Sequence, residues 1–290
     1  MKGVILAGGT GSRMFPVTKG VNKHLLPVFD KPMIYYPLSV LMLADIQEVA
    51  IVCRDCDRAS FESLLGSGER FGISIEYVTQ NSAKGISDGI KQAGSFIGES
   101  SFCLILGDNF FFGPGLTPVL TNAKKQLKHA TAFAYEVKNP RSFGVISYNK
   151  DNQVDSIEEK PEVPKSNKVA TGLYMFNNCA LDYVEQLSAS SRGELEVTDL
   201  LNTYINQSEL GVEVLGRGYA WLDMGTSESL MEASIYIQSI EKRQGFKIAC
   251  LEEIAYRKGW LTKAAVEQAC QHHENTTYGE YLYKVLTELK

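Results

Sequence analysis

The chain has 290 residues, enough to form one large α/β domain or two small ones around a sizeable apolar core. Its formal net charge of -5 comes from interspersed acidic and basic residues, which argues against a dedicated nucleic-acid surface. No apolar run approaches the roughly 20 residues that a membrane helix needs, and the first predicted strand follows Met1 directly. We therefore expect a cytoplasmic protein with neither a leader peptide nor a membrane anchor.

The first 130 residues alternate short β-branched runs with longer segments of helical period, a pattern typical of a mostly parallel sheet covered by helices. The first predicted helix begins near Ile34. The predicted strands are Gly3–Leu6, Glu48–Cys53, Ser74–Val78 and Phe102–Leu106. The later predicted helices are Arg58–Leu65, Gly85–Phe96 and Leu116–Leu127. This half of the chain is predicted to be a Rossmann-like α/β unit.

After Thr131 the pattern changes to strands joined by turns, with a hairpin turn at 149–152. The predicted strands are Ala132–Val137, Phe143–Tyr148, Val154–Glu158 and Val169–Phe176. Helices are predicted at Val197–Asn206 and from Ser227 to about Arg243, and two or three short helices follow a break at Gly245. The pattern predicts an α/β domain over residues 1–245, including these strands, and a small helical appendix over residues 246–290.

A glycine-rich loop, Leu6–Arg13, follows the first predicted strand and so lies at the carboxyl end of the sheet, where α/β proteins bind ligands. Glycines let a backbone approach phosphates and direct N–H groups at them, although a plain tight turn has the same composition. The loop lacks both the Gly-Lys-Ser/Thr ending of a Walker loop and the third glycine of a dinucleotide fingerprint. Arg13 and Lys23 would instead supply two cations to a triphosphate, unless both are simply solvated.

Further motifs run through nearly the whole chain. They are Lys23–Val28, Lys31–Pro37, Leu106–Asn109, Glu158–Pro161, Thr171–Tyr174, Arg192–Asp199 and Gly216–Thr226. Together with the loop, which is similar to G-G-x-G-[ST]-R-L, they resemble in order the glucose-1-phosphate thymidylyltransferase family of sugar-phosphate nucleotidylyltransferases. The resemblance implies a mixed, mostly parallel sheet of the nucleotide-diphospho-sugar transferase type. It also implies synthesis of dTDP-glucose and pyrophosphate from dTTP and glucose 1-phosphate.

The resemblance implies a reaction in which the sugar phosphate attacks the α-phosphorus in line, so no covalent nucleophile is needed. Arg13 and Lys23 are the implied catalytic residues, and Asp108 and Asp223 are the implied ligands of Mg²⁺. A hard cation suits two carboxylates. Considered without the resemblance, each aspartate equally fits a turn or a helix cap.

The resemblance also implies the binding residues. The nucleotide would contact Gly8, Gly9, Gly11, Ser12, Gln80 and Gly85. The sugar phosphate would contact Asn109, Gly144, Glu159, Lys160, Thr198 and Trp221. The Gln80 amide can pair with both a donor and an acceptor on a pyrimidine edge. Burial beside Glu159 is expected to hold Lys160 in place.

The chain departs from the family pattern at three places. The segment Gln80–Gly89 lacks two prolines, an acid and a glutamine that family members often carry, and is expected to be less rigid. His24 replaces a common glutamine, and Phe143 stands where a tyrosine usually precedes the glycine. These changes bear most directly on the choice of base and on the affinity for substrates.

Several alternatives stay open. UTP or another hexose 1-phosphate could replace the implied substrates, or the chain could be a non-catalytic sugar-nucleotide sensor. A retaining glycosyltransferase usually carries an Asp-x-Asp motif, which Asp108-Asn109-Phe110 does not supply. The resemblance further implies a homotetramer with a second nucleotide-sugar site near the C-terminal helices. Tyr278, Tyr281 and Tyr283 either contribute to those contacts or pack on the chain's own core.

Overall fold

The computed structural model describes residues 1–82 and 84–288. Its strands are β1 (Lys2–Leu6), β2 (Pro27–Val28), β3 (Lys31–Pro32), β4 (Glu48–Cys53), β5 (Ser74–Thr79), β6 (Phe102–Leu106), β7 (Asn109–Phe112), β8 (Ala130–Glu136), β9 (Gly144–Tyr148), β10 (Val154–Glu159), β11 (Lys168–Phe176), β12 (Leu210–Leu215) and β13 (Ala220–Asp223). Its helices are α1 (Tyr35–Leu43), α2 (Asp55–Leu65), α3 (Ile86–Gln92), α4 (Gly94–Ile97), α5 (Leu116–Gln126), α6 (Cys179–Gln186), α7 (Val197–Asn206), α8 (Ser227–Gln244), α9 (Leu251–Arg257), α10 (Lys263–His272) and α11 (Thr277–Glu288). Short 3-10 turns cover Ser12–Met14, Lys23–Leu25, Glu69–Phe71 and Pro140–Ser142.

One mixed sheet of nine strands forms the centre of the molecule. The path β10-β9-β11-β6-β1-β4-β5 is extended by β8, which pairs with β11, and by β12, which pairs with β8. Strands β6, β1, β4 and β5 pair in parallel, as predicted for the first half of the chain. Because β11 is antiparallel to β6, β8 and β9, and β10 is antiparallel to β9, these two strands run against the rest of the sheet. The predicted mixed, mostly parallel sheet is confirmed.

The two faces of the sheet bury separate apolar clusters, so the molecule has three layers. Successive residues of β1 point to opposite faces: Ile5 packs with α1, α2 and α5, whereas Val4 packs with α3, α6 and α7. Both residues are fully buried. Because β1, β4 and β6 have helices on both sides, their sequences are nearly continuously apolar, whereas the edge strand β5 alternates in its first residues.

Most predicted boundaries agree with the structure within two or three residues, but one predicted helix is divided. The segment 85–96 forms α3 and α4, separated at Ala93, whose ψ of 1° departs from helical geometry. Gly94, which begins α4, has low helix propensity and makes a break there inexpensive. Strands β2, β3, β7, β12 and β13 and helix α6 were not predicted.

A small antiparallel ribbon joins two distant parts of the chain. Strand β7 follows Asp108, and β13 ends at Asp223, which lies opposite Asn109 in the ribbon. The backbone N–H of Met224 donates to the Asp108 carbonyl oxygen at 2.9 Å. Two aspartates that are more than a hundred residues apart in sequence are thereby brought to one place.

Three helices follow residue 246, within the predicted two or three. Leu251 and Ala255 of α9 are buried in the same apolar cluster as α1, whereas α10 and α11 close around Val266, Cys270 and Leu282. The division at residue 245 stays a prediction. None of the described helices combines the length and the apolar character needed to cross a membrane.

Candidate active site

A cavity of about 300 Å³ opens at the carboxyl ends of β1 and β6, the edge at which parallel sheets bind ligands. It is lined by nine of the predicted site residues: Gly8, Gly9, Arg13, Lys23, Gln80, Gly85, Asp108, Glu159 and Lys160. It is also lined by residues to which the sequence assigned no role, notably His24, Arg192, Glu194 and Glu196. Nucleotide, metal and sugar-phosphate candidates therefore meet in one cavity.

The glycine-rich loop begins at the cavity and then leaves it. Gly8 is buried, whereas Gly9 and Ser12 are exposed. Gly11 has a φ of 65°, in the left-handed region that favours glycine, and the Thr18 hydroxyl donates to its carbonyl oxygen at 2.7 Å. Gly11 and Ser12 do not belong to the described cavity lining. The loop is thus fixed by its turn, and its first two glycines face the ligand space.

Lys23 and Asp108 form a buried ion pair at the centre of the cavity. The Lys23 ammonium donates to Oδ2 of Asp108, and the Asn109 amide donates to Oδ1 at 3.0 Å. Burial is the largest effect and by itself would raise the pKa of Asp108, but the charge of Lys23 and the hydrogen bonds from Lys23 and Asn109 together hold that pKa well below its usual range. Asp108 is therefore a charged carboxylate at neutral pH.

The surroundings of Asp223 shift its pKa in the opposite direction. Burial, followed by the negative charge of Asp108, raises the pKa of Asp223 to about 6, although Arg13 acts against this shift. The Arg13 guanidinium lies over Gly225, where an added Cβ would come within 2.6 Å of Nη2 and 2.8 Å of Asp223 Oδ1. The two carboxylates thus share a site in which the negative charge is incompletely balanced.

Gln80 directly follows β5 and is buried, with only 6% of its surface exposed. Its Nε2 donates to Asp88 Oδ2 at 2.7 Å, while its Oε1 lies so close to Gly8 that an added Cβ there would be 2.6 Å away. Gly85 has a φ of 104° and packs on the backbone of Leu195. This end of the cavity therefore holds a fixed amide beside two glycine backbones.

The other end of the cavity carries Glu159, Lys160 and Arg192. Glu159 Oε1 lies 3.3 Å from both Lys160 Nζ and Arg192 Nη1. The expected burial of Lys160 is not seen, because 45% of its side chain is exposed. Arg192 also donates to Glu194 Oε2 at 2.7 Å. Arg192 is the first residue of the motif Arg192–Asp199, and that motif is the sequence feature from which its place in the site could have been inferred.

The remaining predicted residues stand behind the cavity wall. An added Cβ at Gly144 would lie 2.9 Å from Thr198 Cγ2 and 3.5 Å from Glu159 Oε2. The Trp221 Nε1–H group donates to Asn109 Oδ1 at 2.6 Å. Asn109 and Thr198 are each only 2% exposed. These residues contact the site residues directly, whereas they are outside the described lining of the cavity.

His24 lines the cavity and is buried, which the sequence did not predict. Its Nδ1 lies 2.7 Å from Asn22 Oδ1, an oxygen that also accepts from the His24 backbone N–H. The Asn22 Nδ2 group donates to Asp57 and Ala7, so its Oδ1 is fixed as an acceptor and His24 Nδ1 carries the hydrogen. Burial and the charge of Lys23 lower the pKa of His24 to about 3, which keeps the ring neutral.

Comparisons with known proteins agree with this geometry. Residues 2–240 match the family model described as nucleotidyl transferase. The chain is 50% identical to the glucose-1-phosphate thymidylyltransferase of Neisseria meningitidis serogroup A and 42% identical to that of Mycobacterium tuberculosis, with 99% of both chains covered in each case. The chain belongs to the nucleotidyl transferase family, among the glucose-1-phosphate thymidylyltransferases.

Two solved structures have the same fold as this chain. A crystal structure described as a glucose-1-phosphate thymidylyltransferase from Bacillus anthracis, in complex with a sucrose, has a TM-score of 0.76 at 38% identity. It covers 81% of this chain and 94% of that one. A UDP-glucose pyrophosphorylase complexed with UDP-glucose has a TM-score of 0.74 at 23% identity, with 82% and 98% covered, and shares the fold.

The aspartate pair suits a divalent metal that the substrate helps to ligate. Among the described residues, no group of three or more histidine, cysteine or acidic side chains could hold a metal ion unaided. Mg²⁺ commonly takes one or two carboxylates and completes its shell with phosphate oxygens and water. Asp108 and Asp223, with their incompletely balanced charge, provide such a partial donor set.

Proposed function

We propose that this chain makes dTDP-glucose and pyrophosphate from dTTP and glucose 1-phosphate. The observation that carries the proposal is the buried Lys23–Asp108 pair, with Asp223 close to Asp108, in the wall of a cavity whose lining includes two groups of different chemistry. One group is the Gln80 amide with glycine backbones, and the other is two cations with a carboxylate. The names of the relatives support the same reaction.

Arg13 and Lys23 would act on the triphosphate. Arg13 is exposed at the mouth of the cavity, so its guanidinium can meet the departing pyrophosphate without a large desolvation cost. Lys23 is preorganised by Asp108, and its remaining ammonium hydrogens can contact the α-phosphate as negative charge builds there. Mg²⁺ held by Asp108 and Asp223 would supply further charge neutralisation.

The nucleotide base would lie between Gln80, Gly8 and Gly85. Gln80 Nε2 donates to Asp88 Oδ2 at 2.7 Å and to the Gly85 carbonyl oxygen at 3.4 Å, so the amide plane is fixed and its oxygen can accept a hydrogen bond from a pyrimidine edge. A fixed amide discriminates better than a mobile one, since a mismatched base leaves a buried donor or acceptor without a partner.

The sugar phosphate would lie at the opposite end. Lys160 and Arg192 are the two cations there, and we assign both to the phosphate of the hexose. Glu159 bridges these cations and can accept a hydrogen bond from a hexose hydroxyl. Gly144, Thr198, Asn109 and Trp221 would form the wall behind the ring, where a side chain in place of Gly144 would collide with Thr198.

Assembly and location belong to the proposal as well. We place the protein in the cytoplasm as a homotetramer with a second nucleotide-sugar site. Tyr278 and Tyr281 donate to Glu252 and Glu253 of the same chain, which fits core packing, whereas Tyr283 is 53% exposed and is available to a subunit contact. Analytical ultracentrifugation of the wild type would test the tetramer directly, and a monomer would contradict it.

The deciding experiment measures pyrophosphate release with Mg²⁺ over five nucleoside triphosphates and the 1-phosphates of glucose, galactose, mannose and N-acetylglucosamine. We expect dTTP with glucose 1-phosphate to be preferred. A preference for UTP would favour the pyrophosphorylase alternative, whose representatives share this fold. Nucleotide binding without turnover in any combination would favour a sugar-nucleotide sensor.

Variants at the centre and at the sugar end refine the test. Asp108→Asn should abolish Mg²⁺-dependent turnover without unfolding the protein, because the metal loses a charged ligand while the strand ends stay paired. Lys160→Ala should mainly raise the KM for the sugar phosphate. Near-normal activity in the first variant, or an unchanged KM in the second, would contradict the assigned roles.

A further inference from the structure

Three buried groups connect the sugar-side wall of the cavity to the carboxylate of Asp108. Trp221 donates from Nε1 to Asn109 Oδ1 at 2.6 Å, and Asn109 donates from Nδ2 to Asp108 Oδ1 at 3.0 Å. The exposed fractions of the three residues are 8%, 2% and 8%. Two successive hydrogen bonds thus connect Trp221, on β13, to the carboxylate of Asp108, which directly precedes β7.

The donors and acceptors in this chain leave Asn109 one orientation. Asn109 Oδ1 accepts from the Trp221 indole and from the backbone N–H of Gly172 at 3.3 Å, and neither group can act as an acceptor. The amide nitrogen must therefore face Asp108. One N–H of Asn109 remains for a ligand, but its oxygen is fully occupied within the protein.

The indole is itself held by packing. The ring of Phe143 lies with its centroid 5.1 Å from that of Trp221, and the ring of Tyr135 lies at 6.0 Å in an edge contact. An aromatic side chain between two others loses little further freedom when its N–H makes a hydrogen bond. Ring packing, rather than the hydrogen bond to Asn109, thus fixes the orientation of Trp221. Asn109 then passes this constraint on to Asp108 through its own hydrogen bond.

We infer that Trp221 and Asn109 are positioning residues for the Asp108 carboxylate, in addition to any contact with the sugar. Lys23 binds one oxygen of the Asp108 carboxylate, and the Asn109 amide binds the other. Because both oxygens are held, the carboxylate cannot rotate freely. Groups that orient a metal-binding carboxylate in this way typically contribute 10- to 100-fold to metal affinity. The inference rests on the proposed role of Asp108 as a metal ligand.

Binding of Mn²⁺ to the full-length protein at saturating dTDP-glucose, whose phosphates would complete the partial donor set, tests the inference by electron paramagnetic resonance of the free ion. Trp221→Phe keeps an aromatic side chain but removes the indole N–H, and we expect the Kd for Mn²⁺ to rise about 10-fold. Tyr135→Phe is the matched control, because it removes a neighbouring hydrogen bond to the Tyr219 carbonyl and leaves Asn109 untouched. Its Kd should equal that of the wild type.

A double-mutant cycle with Asn109→Leu separates a connected chain from two independent effects. If Trp221 acts through Asn109, the double variant should bind Mn²⁺ no more weakly than Asn109→Leu alone. Thermal unfolding of each variant verifies that it is folded before its Kd is interpreted. Additive losses would show that the two residues act separately and would overturn the inference.

Kinetics distinguish a failure of this inference from a failure of the proposed function. Trp221→Phe should also raise the Mg²⁺ concentration for half-maximal activity at saturating dTTP and glucose 1-phosphate. A variant with unchanged Mn²⁺ affinity and only a raised KM for glucose 1-phosphate would overturn the inference and leave the proposed function intact. Wild-type protein that binds no Mn²⁺ would overturn the metal assignment, and the inference with it.

Discussion

Asp223 occupies an environment that opposes its own charge. It is buried next to the negatively charged Asp108, and these two effects together raise its pKa from the usual 3.8 to about 6. Folding therefore costs free energy whenever Asp223 is ionised. Such a cost is common at sites built to bind a cation, because the ligand that relieves the repulsion is absent from the free protein.

Asp223→Asn should stabilise the metal-free protein. With the folded pKa raised, the cost of ionisation is fully present above about pH 6 and disappears as the pH falls toward 4. Thermal unfolding in EDTA at pH 7.5 should show the variant more stable by roughly 1–3 kcal/mol, an advantage that shrinks at pH 5. Asp223→Asn should also lose Mg²⁺-dependent turnover.

The direction of the pH effect is the critical result for this variant. An advantage that grows as the pH falls would contradict the assigned pKa shift, because it would require a carboxylate stabilised in its charged form. Addition of Mg²⁺ should reverse the order of stability, since only the wild type retains both carboxylates for the ion.

Asp88 is predicted to govern base recognition without contacting the base. It fixes Gln80 through the 2.7 Å hydrogen bond to Nε2 and is itself 8% exposed. Asp88→Ala frees the Gln80 amide, and we expect the KM for dTTP to rise about 10-fold. Asp88→Asn keeps an acceptor oxygen and should have a smaller effect. Equal KM values for dTTP in all three proteins would remove Asp88 from this role.

The segment between β5 and α3 is held by hydrogen bonds to the residues that precede α7. The Lys84 carbonyl oxygen accepts from the Leu195 N–H at 2.7 Å, and the Leu195 carbonyl oxygen accepts from the Ser87 N–H at 3.1 Å. The Ser87 hydroxyl donates to the Glu196 carbonyl oxygen at 3.0 Å. The prediction of a less rigid segment stays untested at Ala83, which lies outside the described residues, but these contacts replace part of the restraint that prolines would give.

Gly85→Ala should disrupt this attachment. A Cβ at residue 85 would overlap the Leu195 carbonyl oxygen, and a φ of 104° is strained for alanine. We expect the KM for dTTP to rise at least 10-fold while the central sheet stays folded. Gly98→Ala is the control, because Gly98 also has a positive φ but has open space around it. If the KM for dTTP rose equally in both variants, backbone strain alone would explain the effect, and the overlap with Leu195 would not be needed.

The elements that the sequence predicts well are those with strong local patterns. Apolar runs such as Phe102–Leu106 and the amphipathic helix at Val197–Asn206 were predicted with their observed boundaries. Strands β7 and β13 are only four residues long, and β7 begins within two residues of the end of β6. Their pairing depends on a contact between residues 109 and 223, which no local pattern encodes.

At the scale of the whole molecule, the site is assembled from segments that the sequence separates widely. The family motifs assigned Lys23, Asp108, Gln80 and Gly8 to one site, and the structure brings Lys23 to Asp108 and Gln80 to Gly8. Motifs did not predict that His24 is buried and neutral, or that Lys160 stays half-exposed, because burial depends on neighbours from other parts of the chain. Physical context, rather than residue type, decides such details.

A second charge cluster joins residues 30–31 to residues 241–247. Glu241, near the end of α8, lies 3.1 Å from Lys31 Nζ through Oε1 and 3.1 Å from Lys247 Nζ through Oε2. Asp30 contacts both lysines, so two acids balance two bases around the hairpin β2–β3. That hairpin follows the turn that carries Lys23.

Glu241→Gln should destabilise the protein far more than the loss of an exposed ion pair. It leaves the buried Lys31 and the partly buried Lys247 with one carboxylate, and removal of one partner from a buried pair typically costs about 3–5 kcal/mol. Urea unfolding should show this loss, and Glu62→Gln, which breaks the exposed pair with Arg58, should leave the midpoint nearly unchanged. Glu241→Gln with Lys247→Met restores the balance of charge and should recover part of the stability. If the single variant unfolds at the wild-type midpoint, the cluster does not hold the C-terminal part of the chain against the hairpin beside Lys23.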